Sequence, residues 1–277
     1  MKFALRLAYL GKNYCGWQRQ SSGTERAPAL PSVQETVEKA LSRMTDSALT
    51  IVGSGRTDAG VHALGQVAHF RFESDRFTPE VFKKGLNSLL PQDIRVMQAF
   101  RVPEEFHAQR SAVKKQYSYY FFQGPGPLPQ FMETSWWIQK TLNIEAMGEA
   151  LAFLRGEHDF KSFQASGANP GKTTVRTLIE AEVERIAMPL FPGEDLNERG
   201  YGMVRLRLVG TGFLKQMVRG IAGTLLQIGE NQRKASEMKD VLESRSRAGV
   251  GPTAPAKGLT LERVWYIPDL YGNPNQA

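Results

Sequence analysis

The residues best placed to do chemistry lie in one short stretch, Gly53-Ser-Gly55-Arg-Thr-Asp58-Ala-Gly60-Val-His62-Ala. Its three glycines let a backbone approach another group closely and adopt positive φ. Asp58 stands two residues after Arg56, in a loop between two expected strands. A nearby guanidinium favours the ionised carboxylate. That suits a nucleophile or a base and is wrong for a general acid. The plainer reading is a tight turn held by a structural Arg–Asp pair, and spacing alone favours it.

Two further segments carry candidate binding groups. Lys114-Lys-Gln-Tyr117-Ser-Tyr119-Tyr-Phe places cations ahead of an aromatic strand, with Tyr117 and Tyr119 on one face. Rings beside cations can hold an unstacked base and a phosphate chain. A core strand with a basic lead-in accounts for the same pattern. Gly212-Phe-Leu-Lys-Gln-Met217-Val-Arg219-Gly opens the most apolar helix, with Arg219 among Phe213, Met217, Val218 and Ile221. A cation there needs an acidic or phosphate partner. Asp58 is one candidate and solvent is another. The run Gly167-Ala-Asn-Pro-Gly-Lys172-Thr173 imitates a phosphate loop but has one residue too few between its first glycine and Gly-Lys, so it reads as a solvated turn. Glycoside hydrolysis would need a second carboxylate facing Asp58, which this loop does not supply.

The elements that must position these groups follow from periodicity. Lys2 to Leu10 alternates as a strand. Ser32-Val-Gln-Glu35 is a capping box opening a helix with Val33, Val37, Ala40, Leu41 and Met44 on one face. Strands are expected at Ala48 to Gly53, Gly65 to Glu73 and Ile94 to Val102. A helix begins at Thr78-Pro79 and runs to about Leu90. The order in this half is β-α-β-β-α-β. The second half repeats it loosely. Strands are expected at Gln116 to Gln123, Val175 to Ile186, Tyr201 to Val209 and Leu261 to Ile267. Helices are expected at Ile144 to Leu154, Phe213 to Ile228 and Ser236 to Ser244. The expectation is an α+β protein of two ferredoxin-like βαββαβ halves, residues 1–105 and 106–277. Their strands would merge into one large, mostly antiparallel sheet with flanking helices.

Composition sets the outer bounds. The 277 residues are 41% apolar and 23% charged, enough to bury a real core. A net charge of +7 and a pI near 9.5 fit a polyanionic partner such as nucleic acid. Cys15 is the single cysteine, which excludes an internal disulfide and a CxxC metal knuckle. His62, His69, His107 and His158 are scattered, so no zinc-ligand spacing is visible. The first residues are too charged for a signal peptide, and no run of about 18 apolar residues occurs. A cytoplasmic protein without a membrane span is expected.

Taken together, these segments resemble the A-type tRNA pseudouridine synthase family. The Gly55-Arg-Thr-Asp58-Ala-Gly-Val-His-Ala stretch is that family's signature. Further segments agree in order: Asn13-Tyr-Cys-Gly16-Trp17-Gln18, Ser32-Val-Gln34, Asn87-Ser-Leu-Leu-Pro91, Phe106-His107-Ala108, Tyr117-Ser-Tyr119, Gly156-Glu-His-Asp159-Phe-Lys-Ser-Phe163, Met217-Val-Arg219 and Ala254-Pro-Ala256-Lys-Gly258-Leu259. The resemblance covers essentially the whole chain. It implies isomerisation of uridine to pseudouridine at positions 38, 39 and 40 of the tRNA anticodon stem-loop, by a homodimer with no cofactor and no required metal. By the same resemblance Asp58 is the catalytic carboxylate, and Tyr117, Arg56, Arg219 and Leu259 contact the substrate. Departures are a longer connection at Ser21 to Leu30, an enlarged polar loop around Gly193 to Gly200, and Gln116 in an otherwise basic approach to Tyr117.

The reaction breaks an N-glycosidic bond and rejoins the turned uracil through C5, which fits a chain with no cofactor motif. The base must first leave its stack. Tyr117 would pack on the extruded uracil, Arg56 would fill the vacated space or hold a phosphate, and Arg219 would keep Asp58 ionised. Attack on the base, attack on the sugar and removal of a ribose proton are all open to Asp58. The alternatives are a tRNA-binding module that remodels without chemistry, a nucleoside hydrolase, and a synthase with a different RNA target.

Overall fold

The computed structural model describes residues 1–19, 30–167, 173–186 and 201–271. Ten strands and five α-helices occur among them. Two loops singled out above, around residues 21–29 and 193–200, and most of the phosphate-loop imitation lie outside the described residues. The chain groups into two compact units. One is Met1–Lys115 with Thr260–Ala277, and the other is Gln116–Leu259.

In the first unit the order is β1 (Lys2–Tyr9), α1 (Val33–Thr45), β2 (Val52–Gly53), β3 (His62–Arg71), α2 (Pro79–Leu89) and β4 (Ile94–Val102). This is the β-α-β-β-α-β order read from the sequence. Strand β1 lies between β3 and β4 and is antiparallel to both, with Arg6 opposite Val67 and Gln98. The free edge of β3 is divided. Its His69 and Ala68 pair antiparallel with β2, and its His62 and Ala63 pair parallel with β10 (Leu259–Tyr266). Both helices start as their caps dictate. Ser32 accepts from the Glu35 N–H at 3.1 Å, and Thr78 accepts from the Val81 N–H at 3.3 Å. One sheet face then buries Phe3, Leu5 and Leu7 under these helices. Phe82 of α2 meets Phe3 at 4.8 Å and Phe70 at 5.1 Å between ring centroids, both edge-on.

Strand β2 is shorter than the Ala48 to Gly53 expected. Two buried side chains of α1 take the backbone groups that a longer strand would pair. Glu38 accepts from the Ile51 N–H at 3.0 Å, and Gln34 donates to the Ile51 carbonyl at 3.1 Å. Strand β3 in turn begins three residues earlier than expected, at His62, where its ladder with β10 starts.

The second unit contains β5 (Ala112–Gln123, from Gln116 on), β6 (Trp136–Ile138), α3 (Ile144–Ala152), β7 (Gly156–Asp159), β8 (Val175–Ile186), β9 (Gly202–Gly210), α4 (Met217–Gly229) and α5 (Glu237–Glu243). Its strand order is β5-β9-β8-β7, with β6 parallel to β5. The hairpin β8–β9 is antiparallel, and so is β7–β8. Strands β6 and β7 are too short to show in the pattern. Helix α4 starts at Met217 rather than Phe213, because Gln216 ahead of it is left-handed (φ 59°). The Met217 N–H closes a turn onto the Leu214 carbonyl at 3.1 Å. Met147, Leu151, Leu178, Leu206, Ile221 and Leu225 form this unit's core.

Candidate active site

The loop that carries Asp58 runs from the end of β2 to the start of β3, and its flanks are tied at nearly every step. The Ser54 N–H donates to the Val67 carbonyl at 2.7 Å, and the Ser54 hydroxyl donates to Gln66 Oε1 at 2.7 Å. Gln66 Nε2 donates to the Gly55 carbonyl at 2.9 Å, and Lys115 Nζ donates to the Ser54 carbonyl at 2.6 Å. Thr57 shares a 2.8 Å hydrogen bond with the Tyr9 hydroxyl, and its carbonyl accepts from the Trp17 N–H at 3.1 Å. Beyond Asp58, its own carbonyl accepts from the Val61 N–H at 3.1 Å. Gly60, in the turn between them, has φ +79°.

The result is a loop with a buried polar base and an accessible top. Ser54 and Gln66 are fully buried, and Thr57 nearly so, whereas Asp58 is half-buried and Arg56 is exposed. Burial pushes the Tyr9 hydroxyl up to about 12, against the opposing pull of its bonds to Thr57 and Gln66, so it stays protonated beneath the loop. Burial likewise lowers the Lys115 ammonium to about 8.

The N-terminal loop braces the same structure. Gly16 has φ +109°, and a Cβ there would lie 2.6 Å from the Thr57 carbonyl oxygen and 3.1 Å from the Asp58 carbonyl carbon. The Trp17 indole lies over Gly53, where a Cβ would come within 2.5 Å of Nε1. Asp93 fixes the start of this loop, accepting from Asn13 at 3.0 Å and from the Tyr14 hydroxyl at 2.5 Å. Gly16, Trp17, Tyr9 and Gln66 thus support the Asp58 loop. Residue types alone did not assign them that role. The one signal available was the Asn13 to Gln18 stretch, with a glycine between two aromatics.

The other candidates lie in the second unit. Tyr117 is buried on β5 and meets Phe213 edge-on at 5.0 Å. Tyr119, on the same face, is fully buried and donates to the Pro255 carbonyl at 2.9 Å. Burial raises the Tyr119 hydroxyl strongly, and the charge of Arg219 opposes that rise. Gly258 packs on this ring, with room for no side chain: a Cβ would lie 2.5 Å from Tyr119 Cζ. Arg219, in the first turn of α4, is held at both ends of its residue. Its Nε donates to the Ala254 carbonyl at 2.7 Å, and its own carbonyl accepts from the Ala254 N–H at 3.1 Å. Leu259 is buried directly after Gly258. Arg219, Tyr119 and the segment from Ala254 to Gly258 therefore form one group, while Arg56 and Asp58 share a loop of the first unit. Of the two lysines before the aromatic strand, Lys114 stands over the Trp265 ring at 5.0 Å and Lys115 under the Asp58 loop. Both are engaged within the fold.

Residues 7–109 and 150–266 match the family model described as tRNA pseudouridine synthase. The chain belongs to the tRNA pseudouridine synthase family. Arg56, Asp58, Arg219 and Leu259 fall inside the matched residues, and Tyr117 falls between the two matched blocks. Relatives agree over nearly the full length. The tRNA pseudouridine synthase A of Maridesulfovibrio salexigens is 38% identical over 265 residues, covering 96% of this chain and 90% of its own. That of Ruminiclostridium cellulolyticum is 37% identical over 265 residues, with 96% and 99% covered. That of Myxococcus xanthus is 39% identical over 266 residues, with 96% and 92% covered.

As a member of the tRNA pseudouridine synthase family, the protein is an isomerase acting on tRNA. No group of three His, Cys, Asp or Glu side chains suited to a metal ion occurs among the described residues, and no described helix is long and apolar enough to cross a membrane.

Proposed function

We propose that the protein converts uridine to pseudouridine at positions 38, 39 and 40 of the tRNA anticodon stem-loop, with Asp58 as the catalytic carboxylate. The observation that carries this reading is the Asp58 loop. A half-buried carboxylate stands on a loop whose backbone is tied by Gln66, Lys115 and Trp17 and whose Thr57 side chain is tied by Tyr9. A turn of merely structural use would not need so many buried donors, whereas a reacting group must be held to within a fraction of an ångström.

In the reaction the bond from uracil N1 to ribose C1′ breaks and a bond from C5 to C1′ forms. The C5 hydrogen leaves to solvent as a proton, and N1 gains one. No electrons are exchanged with a third party. Asp58 acts on the extruded nucleotide, Tyr117 packs on the uracil, Arg56 holds a phosphate or fills the vacated stack, and Arg219 favours the ionised carboxylate. Leu259 lines the base pocket. The working form is a homodimer in the cytoplasm.

The test uses tRNA transcript tritiated at uracil C5, purified protein, and no added metal or cofactor. Tritium release that maps to positions 38, 39 and 40 is expected. Tight tRNA binding without release would instead favour a binding module, and release from other uridines would favour a different target. Light scattering during size-exclusion chromatography checks the dimer.

A further inference from the structure

Two successive carbonyls at the start of the Asp58 loop are held by side chains from different strands. Gln66 of β3 holds that of Gly55, and Lys115 of β5 holds that of Ser54. The lysine is the less expected of the two. Burying an ammonium is costly unless it gains a strong partner. Here burial alone accounts for its lowered pKa. The side chain nevertheless turns inward to a 2.6 Å bond with Ser54, and its Nζ would stand 3.1 Å from a Cβ on Gly55. The ammonium therefore lies against the peptide that joins the two held carbonyls. Its neighbour Lys114 leaves in another direction, over Trp265. A charge-assisted bond to a carbonyl is roughly twice as strong as a neutral one. A cation on Ser54 thus fixes the entry to the loop more firmly than a neutral side chain would.

We propose that Lys115 is a positioning residue. It locks the Ser54–Gly55 peptide against β3 and so sets where the Asp58 carboxylate stands. The proposal deepens the functional reading and rests on Asp58 being catalytic. Lys115 acts through its bond to the loop, so its loss should slow the chemical step more than it weakens tRNA binding.

The test compares wild type, Lys115→Met and Lys115→Arg in the tritium-release assay, with hydrogen exchange followed by mass spectrometry. Methionine keeps much of the stem and removes the donor. We expect kcat to fall about 30-fold while KM for tRNA stays within about three-fold, since small misplacements of reacting groups cost rate. Exchange should quicken in the peptide spanning Gly53 to His62 and not in β1 or α2. Arginine, which can still donate to Ser54, should recover part of the lost kcat. If the methionine variant does not fold, Lys115→Gln, too short to reach Ser54, takes its place with the same expectation. A folded variant with wild-type kcat overturns the proposal, as does a rise in KM alone or an arginine variant no better than methionine. Those outcomes leave the functional reading intact as long as the wild type releases tritium. A silent wild type overturns both.

Discussion

Gly16 and Thr57 meet backbone to backbone: a side chain on Gly16 would begin 2.6 Å from the Thr57 carbonyl oxygen, at a φ of +109° that only glycine adopts freely. The contact joins the N-terminal loop to the residue before Asp58, and the adjacent Trp17 N–H donates to that same carbonyl. Gly16→Ala should therefore cost about 2 kcal/mol or more in stability. It should also slow turnover by displacing Thr57. Thermal unfolding and tritium release on one preparation check both. A fully active, fully stable alanine variant would mean that the two loops are not braced as described.

Gln66 offers a second test of the loop's base. Gln66→Leu keeps the volume but leaves the buried Ser54 hydroxyl and Gly55 carbonyl without their partner. Each unsatisfied group costs about 1–3 kcal/mol. The variant should unfold at lower denaturant and turn over more slowly. Gln66→Glu should do worse, because it buries a carboxylate and sets one of its oxygens against the Gly55 carbonyl oxygen with no donor between them. Urea titrations of the three proteins give the order.

How much of this was legible in the sequence depends on the scale of the interaction. The β-α-β-β-α-β order of the first half, the caps at Ser32 and Thr78, and the Asp58 loop between two strands all follow from local rules, and all are present. The shortness of β2 does not follow, because it depends on Glu38 and Gln34 reaching from α1 to Ile51. The late start of α4 depends on a left-handed Gln216, a conformation its residue type does not announce. The lysines before Tyr117 read equally as groups for an RNA backbone and as the basic lead-in to a core strand. Their engagement with Trp265 and Ser54 required pairings distant in sequence. Local chemistry is written in neighbouring residues, and the supports of a site come from wherever the sheet brings them.

Arg219 should prove sensitive to conservative change. Its Nε holds the Ala254 carbonyl while the Ala254 N–H returns to the Arg219 carbonyl. Lysine has no equivalent of Nε, so it cannot make that bond and still present charge beyond it. Arg219→Lys and Arg219→Met are both expected to lose about 100-fold or more in kcat/KM. A lysine variant within about three-fold of wild type would show that charge alone suffices. Steady-state kinetics decide it.

His69 makes stability depend on pH. Burial, aided by the nearby charges of His107 and Lys2, holds it down to about 4 from an ordinary 6.5. Its Nδ1 accepts from the Ala108 N–H at 3.1 Å, which requires an unprotonated nitrogen. The unfolded chain therefore binds the extra proton first as pH falls, and stability declines between about 6.5 and about 4. His107, also lowered chiefly by burial and then by Arg110, adds to the slope. Melting temperatures at pH 7, 6 and 5 should fall in that order. His69→Gln should flatten the decline, even if it starts from a lower value. A slope unchanged in that variant would remove His69 from the account.

The central claim is that Asp58 performs the isomerisation, and Asp58→Asn tests it most directly. The change removes the carboxylate and leaves the loop's backbone bonds in place. With tRNA tritiated at uracil C5, the variant should release no tritium above background while binding tRNA within about three-fold of wild type. Tritium release by the asparagine variant at a rate near wild type would contradict the claim.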